Sequence, residues 1–256
     1  MSPRAWRGRE PKHRAGLGIV AAGTILLLLA SCSGGPTQEV AADLSERCGT
    51  KKPTLPVQAL PYDPGSGEGV DGFVLGEGTE GIVFSNQTDT DLCDWLPFAT
   101  GMVGPDRRAL IYDYTYKPDA AKEVEAAADE IAGLGVKEVV LVGASKGAVG
   151  SLAAAPSIDE LEVAGVASLS AVGEFEGLDS RGAAAKVRVP LLVLAARGDP
   201  TTDAGLVAPK LVEASPSKDK QVVLFDGPDH GIDLLEGKHA PRARSLLGGF
   251  VERNLG

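Results

Sequence analysis

Aromatic side chains are scarce, at 5% of 256 residues, with two Trp, four Tyr and six Phe. A large apolar pocket is therefore not expected, because such pockets are lined mainly by aromatic and bulky aliphatic groups. Excess positive charge is also missing. The formal net charge is −10, which argues against a surface for nucleic acid. Cysteine and histidine number three each, and none of them has the spacing of a metal site. No metal or other cofactor is expected. The longest greasy stretch, Leu17 to Ala30, falls short of the ~20 residues that a membrane-spanning helix needs. Repeats are lacking too. With 33 Gly, 17 Pro and 43% hydrophobic residues, the composition excludes collagen, coiled coil and general disorder. The length suits one large domain or two small ones.

What charge there is lies unevenly. Arg4, Arg7, Arg9, Lys12 and Arg14 crowd the start, against the single acid Glu10. Behind them comes the apolar run, with Ile25-Leu26-Leu27-Leu28-Leu29 at its heart. A basic start, a short apolar middle and small residues after it make the layout of a secretory signal, read as residues 1–31. No Arg-Arg pair points to the twin-arginine route. Leu29-Ala30-Ser31-Cys32 resembles the lipobox of bacterial lipoproteins. That resemblance implies cleavage before Cys32, lipidation of its thiol, and anchoring to the cell membrane on the extracytoplasmic side. Each buried methylene contributes about 0.8 kcal/mol, so two or three acyl chains hold a protein where one does not. The other possibility is a plain signal peptide with an incidental cysteine. With Cys32 lipidated, Cys48 and Cys93 are left as an even pair in an oxidising compartment. They are expected either to form one disulfide tying an N-terminal arm to the domain or to stand as two unrelated buried thiols.

Residues 32–69 are rich in Gly, Pro, Ser and polar groups and read as a tether and irregular lead-in. From residue 70 to 256 the pattern changes. Short apolar runs predict strands over 72–75, 81–85, 109–112, 138–142, 163–169, 189–195 and 221–225. Several are apolar throughout, such as Val139-Val140-Leu141-Val142, which suits strands buried on both faces of a parallel sheet. Helical patterns lie between them. One is capped by Asp119 with a stripe of Ala121, Val124, Ala128, Ile131 and Leu134; others follow Ser145 and span 203–214 and 241–255. This alternation predicts an α/β domain with a mostly parallel sheet, whose sites form at the carboxyl ends of strands.

One such end carries Gly143-Ala144-Ser145-Lys146-Gly147, between a strand and an Ala-rich helix. A nucleophile held in so sharp a turn needs neighbours without side chains, and Gly143 and Gly147 provide them. The helix that follows aims N–H groups and a positive dipole end at the site. A phosphate-cradling loop would need a second Gly and a Lys-Ser/Thr ending that this stretch lacks. A serine hydroxyl needs a base. His13 leaves with the signal. His230, in Asp229-His230-Gly231, stands just past the last strand, whereas His239 reads as a surface residue. The imidazole needs a carboxylate, and Asp199, in Gly198-Asp199-Pro200, follows the strand before. Asp203, Asp226 and Asp229 compete with it; the last two lie too near His230 in sequence and read as turn formers.

From residue 70 to 255 the chain resembles the α/β-hydrolase superfamily, on Gly143-Ala144-Ser145-Lys146-Gly147, Gly198-Asp199-Pro200 and Asp229-His230-Gly231. The resemblance implies Ser145 as nucleophile, Asp199 as acid and His230 as base. It also implies oxyanion donation by the N–H groups of Lys146 and Gln87. Departures are visible. Ser85-Asn86 stands where many members have His-Gly, Asp113-Tyr114-Thr115-Tyr116 lacks a common Gly-x-Ser, and Lys146 replaces an uncharged residue. The Lys146 side chain reads either as solvated or as a charge that attracts acidic substrates or supports the oxyanion. The stretch 170–188 is too short for a cap domain, so the chain is similar to the cap-poor, dienelactone-hydrolase-like branch. Phe175 and Tyr114 are candidates to line its pocket. The implied activity is hydrolysis of a small ester or thioester. The alternative is a non-catalytic binding lipoprotein on the same scaffold. Oligomeric state is not legible.

Overall fold

The computed structural model describes residues 38–63, 69–115 and 120–256. The signal segment, Cys32 and Asp119 lie outside the described residues. The strands are β1 (Val57–Ala59), β2 (Gly72–Gly76), β3 (Glu80–Ser85), β4 (Arg107–Tyr112), β5 (Glu138–Ala144), β6 (Glu162–Leu169), β7 (Glu174–Phe175), β8 (Leu178–Asp179), β9 (Leu191–Ala196) and β10 (Lys220–Phe225). The helices are α1 (Gln38–Arg47), α2 (Leu92–Met102), α3 (Ala120–Gly133), α4 (Lys146–Ala154), α5 (Ser180–Ala184), α6 (Ala204–Ala214) and α7 (Ala240–Asn254). A 3₁₀ turn covers Gly231–Leu235.

Eight strands form one sheet in the order β1-β2-β4-β3-β5-β6-β9-β10. Only the pairs of β2, with β1 and with β4, are antiparallel. All the others are parallel. Both faces are buried, which is why the central strands are apolar without alternation. On β5, Val140, Val142 and Ala144 face one core with Trp95 and Phe98 of α2, Leu44 of α1 and Leu247 of α7. Val139 and Leu141 face the other with Val124 and Ile131 of α3, Leu152 of α4 and Leu211 of α6. Helices thus flank a mostly parallel sheet. Between β6 and β9 lie only the β7–β8 hairpin and α5, so there is no cap.

Part of the stretch expected to be an irregular lead-in is regular. The helix α1 buries Ala41 and Leu44, and β1 pairs antiparallel with β2 at the sheet edge. Three residues are too few to show a period of two, and pairing with β2 is what makes β1 a strand. The helix α2 was also absent from the sequence pattern, because Pro97 interrupts it.

Candidate active site

The strand β5 ends at Ala144, and Ser145 then takes φ 47° and ψ −109°, a backbone that L-residues rarely hold. Lys146 opens α4 at once. The two glycines are steric requirements. A Cβ on Gly143 would fall 2.2 Å from the carbonyl oxygen of Gly147, and one on Gly147 would fall 2.3 Å from that of Ser85. The turn is locked to its surroundings by Ser145 N–H donating to Leu169 O at 2.8 Å and Gly147 N–H donating to Asn86 O at 3.1 Å.

Asp199 stands past the end of β9, its side chain only 1% exposed. One oxygen accepts from the backbone N–H groups of Thr201 at 2.8 Å and Thr202 at 3.2 Å. The other accepts from the Thr202 hydroxyl at 2.9 Å and meets His230 Nδ1 at 2.6 Å. Burial by itself would raise the carboxyl; the bonds from His230, Thr201 and Thr202 outweigh it and hold Asp199 below the usual aspartate range. The two loops are brought together by the sheet. Arg197 N–H donates to Phe225 O at 2.9 Å, and Gly198 N–H donates to Gly227 O at 3.0 Å. With Nδ1 on the carboxylate, His230 directs Nε2 elsewhere. Gly231, at φ 54°, packs against the Ser145 turn: a Cβ there would meet Ala144 Cβ at 3.4 Å. Among the described residues, neither the Ser145 hydroxyl nor His230 Nε2 has a hydrogen-bond partner.

The loop after β3 starts beside the nucleophile turn, since Ser85 is in register with Gly143. Gln87 is buried in it. Its side chain has a task that the sequence did not reveal. Oε1 accepts from Ile232 N–H at 3.0 Å and Nε2 donates to Asp89 at 2.9 Å, so Gln87 ties the His230 loop to the β3 loop. A Cβ at Gly231 would lie 1.9 Å from that same Oε1 and would push the Gln87 side chain aside, and the φ of 54° there favours glycine.

Lys146 corrects the sequence reading. Its side chain is neither solvated nor turned to an incoming substrate; it is 3% exposed. Nζ pairs with Glu123 Oε2 at 2.8 Å and Oε1 at 3.0 Å, donates to Thr115 O at 2.9 Å, and lies 4.0 Å from the centre of the Tyr114 ring. Glu123 also accepts from Thr115 N–H at 2.7 Å. Burial pushes the Glu123 carboxyl up, against the pull of the Lys146 charge. The reason the sequence misled is that Glu123 comes from α3, remote in the chain.

His239 is half-buried rather than on the surface: it stacks on Phe225 and bonds Asp226 O at 2.7 Å. Asp226 is exposed beside Arg197, Asp229 faces Gly237, and Asp203 begins α6. Phe175 is half-buried on β7. Tyr114 borders an open cleft of about 470 Å³ with Arg47, Thr88 and four aspartates. Cys48 and Cys93 are joined by a disulfide. Among the described residues, no cluster of three His, Cys, Asp or Glu could hold a metal ion.

No protein-family profile matches the chain, and no curated protein sequence is detectably similar to it. Solved structures do resemble it. A dienelactone hydrolase from Anabaena variabilis aligns over 79% of this chain and 99% of its own, with TM-score 0.65 and 16% identity. An esterase of Pyrococcus furiosus aligns over 83% and 96%, with TM-score 0.65 and 11% identity. The esterase domain of a Rhodothermus marinus protein aligns over 79% and 100%, with TM-score 0.63 and 16% identity. The chain therefore has the α/β-hydrolase fold, in a form without a cap.

Proposed function

We propose that this protein is a serine hydrolase of small esters or thioesters, working through an acyl-enzyme. The observation that carries this reading is the Asp199–His230 pair, bonded at 2.6 Å, in a loop whose Gly231 packs against Ala144, the residue before the strained Ser145. Ser145 Oγ attacks the carbonyl carbon while His230 Nε2 takes its proton. Asp199 holds the Nδ1–H tautomer and stabilises the imidazolium. The N–H groups of Lys146 and Gln87 receive the oxyanion. Collapse of the tetrahedral intermediate expels the alcohol or thiol, which takes the proton from His230. Water then attacks the acyl-enzyme with His230 as base, and Ser145 is regenerated.

The β6–β9 connection is too short to carry a cap that would enclose a long chain, which favours modest acyl groups. The Lys146 charge is matched by Glu123, so it does not recruit acidic substrates. Among the structural neighbours, a dienelactone hydrolase and esterases are named for chemistry of this kind. The lipobox-like segment extends the proposal to export and a lipid anchor at Cys32. Incorporation of an alkynyl fatty acid, lost in Cys32→Ala, is the outcome expected of that anchor.

A second reading, a binding protein on the same scaffold, draws on the lack of a Ser145–His230 hydrogen bond. Catalytic hydrogen bonds are often long before substrate arrives and tighten in the complex. Labelling with a fluorophosphonate separates the two. The wild type should be labelled at Ser145 and Ser145→Ala should not. An unlabelled wild type, or equal labelling of the variant, rejects the hydrolase.

A further inference from the structure

The residue after the nucleophile sends its charge away from the site, into a buried pair. Both Lys146 and Glu123 are almost fully enclosed, at 3% and 4% exposure. Taking two charges out of water is costly, and a hydrophobic pair of the same volume is commonly as stable or more so. Stability is thus a poor reason for this pair. Geometry is a better one. Lys146 Nζ reaches the backbone of the β4–α3 connection at Thr115 O and covers the face of Tyr114. The Tyr114 hydroxyl in turn donates to Thr88 O.

That last bond lands beside Gln87. On the other side of Gln87, Asn86 donates from its side chain to Tyr112 O at 2.6 Å, and its carbonyl accepts Gly147 N–H at 3.1 Å. Gln87 is therefore held between two anchored neighbours, one fastened to α4 and the other to Tyr114. Lys146 belongs to both ends of this chain of contacts. Its backbone starts α4, and its side chain seats Tyr114. The two N–H groups assigned to the oxyanion are those of Lys146 and Gln87, and they must converge on one point about 3 Å from each.

We propose that Lys146, Glu123 and Tyr114 are positioning residues that set the separation between the two oxyanion donors. The chain runs from Glu123 through Lys146 Nζ and the Tyr114 ring to Thr88 O. It rests on the hydrolase reading above and deepens it. None of the three side chains touches the reacting atoms; Lys146 meets the oxyanion only through its backbone N–H. Their effect is on where the Gln87 N–H stands relative to that of Lys146 when charge develops on the carbonyl oxygen. Because the ground-state ester makes weaker use of those donors, the signature is a loss in kcat with KM retained.

Two variants test this. Tyr114→Phe keeps the ring under Lys146 and removes the bond to Thr88 O. It should lower kcat on a short-chain p-nitrophenyl ester about tenfold, with KM unchanged and Tm lowered by only a few degrees. Lys146→Met alone would strand the Glu123 charge and endanger folding, so it is combined with Glu123→Gln, which keeps an acceptor for Thr115 N–H. The double variant should fold and lose about a hundredfold in kcat, with phosphonate labelling of Ser145 slowed in parallel. Wild-type kcat in both folded variants overturns the positioning role. So does a change confined to KM, which would make Tyr114 a substrate contact instead. A wild type that neither turns over the ester nor takes the label removes the hydrolase reading and this one with it. A labelled, active wild type with unaffected variants removes the positioning role alone.

Discussion

Asp199 shows how one side chain is prepared for its task. Its carboxylate is pinned by its own loop, through Thr201 and Thr202, before it meets His230. Asp199→Asn should leave the fold intact and cut kcat by about 10⁴, because the amide favours the wrong imidazole tautomer. The lowered carboxyl also makes a prediction about acid. A depressed folded-state value contributes stability that is complete above the unfolded value, about 3.9, and is lost as pH falls through the folded one. The difference in Tm between wild type and Asp199→Asn should hold level from pH 7 to about 5 and shrink below about pH 4. Ser145, Asp199 and His230 are legible as candidates because each follows an apolar strand in a local motif. The pairing of Lys146 is not, because its partner Glu123 lies in a separate helix and nothing local to Gly143–Gly147 announces it. Thr201 and Thr202 had a faint local signal, since Asp followed by Pro favours a turn closed by the carboxylate.

At the level of elements, the β5–α4 turn depends on backbone approaching backbone. A Cβ on Gly147 would meet Ser85 and Asn86 carbonyl oxygens at 2.3 and 2.8 Å, neither of which can swing aside as a side chain could. Gly147→Ala should cost at least about 1–3 kcal/mol. It should also shift the β3 loop that carries Gln87, so that phosphonate labelling slows by more than the fall in Tm explains. Strands β3, β5, β6 and β9 were readable from their apolar runs, a direct result of burial on both faces. The helix α2 escaped notice although its start carries a signal: Asp91 and Asp94 form a reciprocal cap. Pro97 hid what followed, and the helix survives it because Trp95, Leu96 and Phe98 are buried against the sheet.

For the molecule as a whole, the N-terminal arm is fastened at two kinds of joint. The disulfide between Cys48, the residue after α1, and Cys93 of α2 spans 45 residues of sequence. Beside it, Arg47 pairs with Asp71 at 2.8 Å and Asp113 at 2.5 Å. The ion pairs are partly exposed and contribute little each. The covalent link restricts the unfolded chain. Cys48→Ser with Cys93→Ser should lower stability by about 2–4 kcal/mol. Scanning calorimetry should then show Tm falling by roughly 5–15 °C while Ser145 still takes the phosphonate.

The chemistry proposed for the site is written locally. Gly-x-Ser-x-Gly after an apolar strand, Asp-Pro after another and His-Gly after the last are short motifs whose steric and hydrogen-bonding demands act within a few residues, so a linear reading reaches them. The contacts around them were not written locally. Parallel strands from distant stretches set Ser85 beside Gly143 and carried Asp199 to His230 through the pairing of β9 with β10. The burial of Lys146 against Glu123, the bond from Gln87 to Ile232 and the conversion of residues 57–59 into a strand arose the same way. Each joins groups far apart along the chain, and each exists only because the hydrophobic packing of two sheet faces paid the entropy of bringing them together.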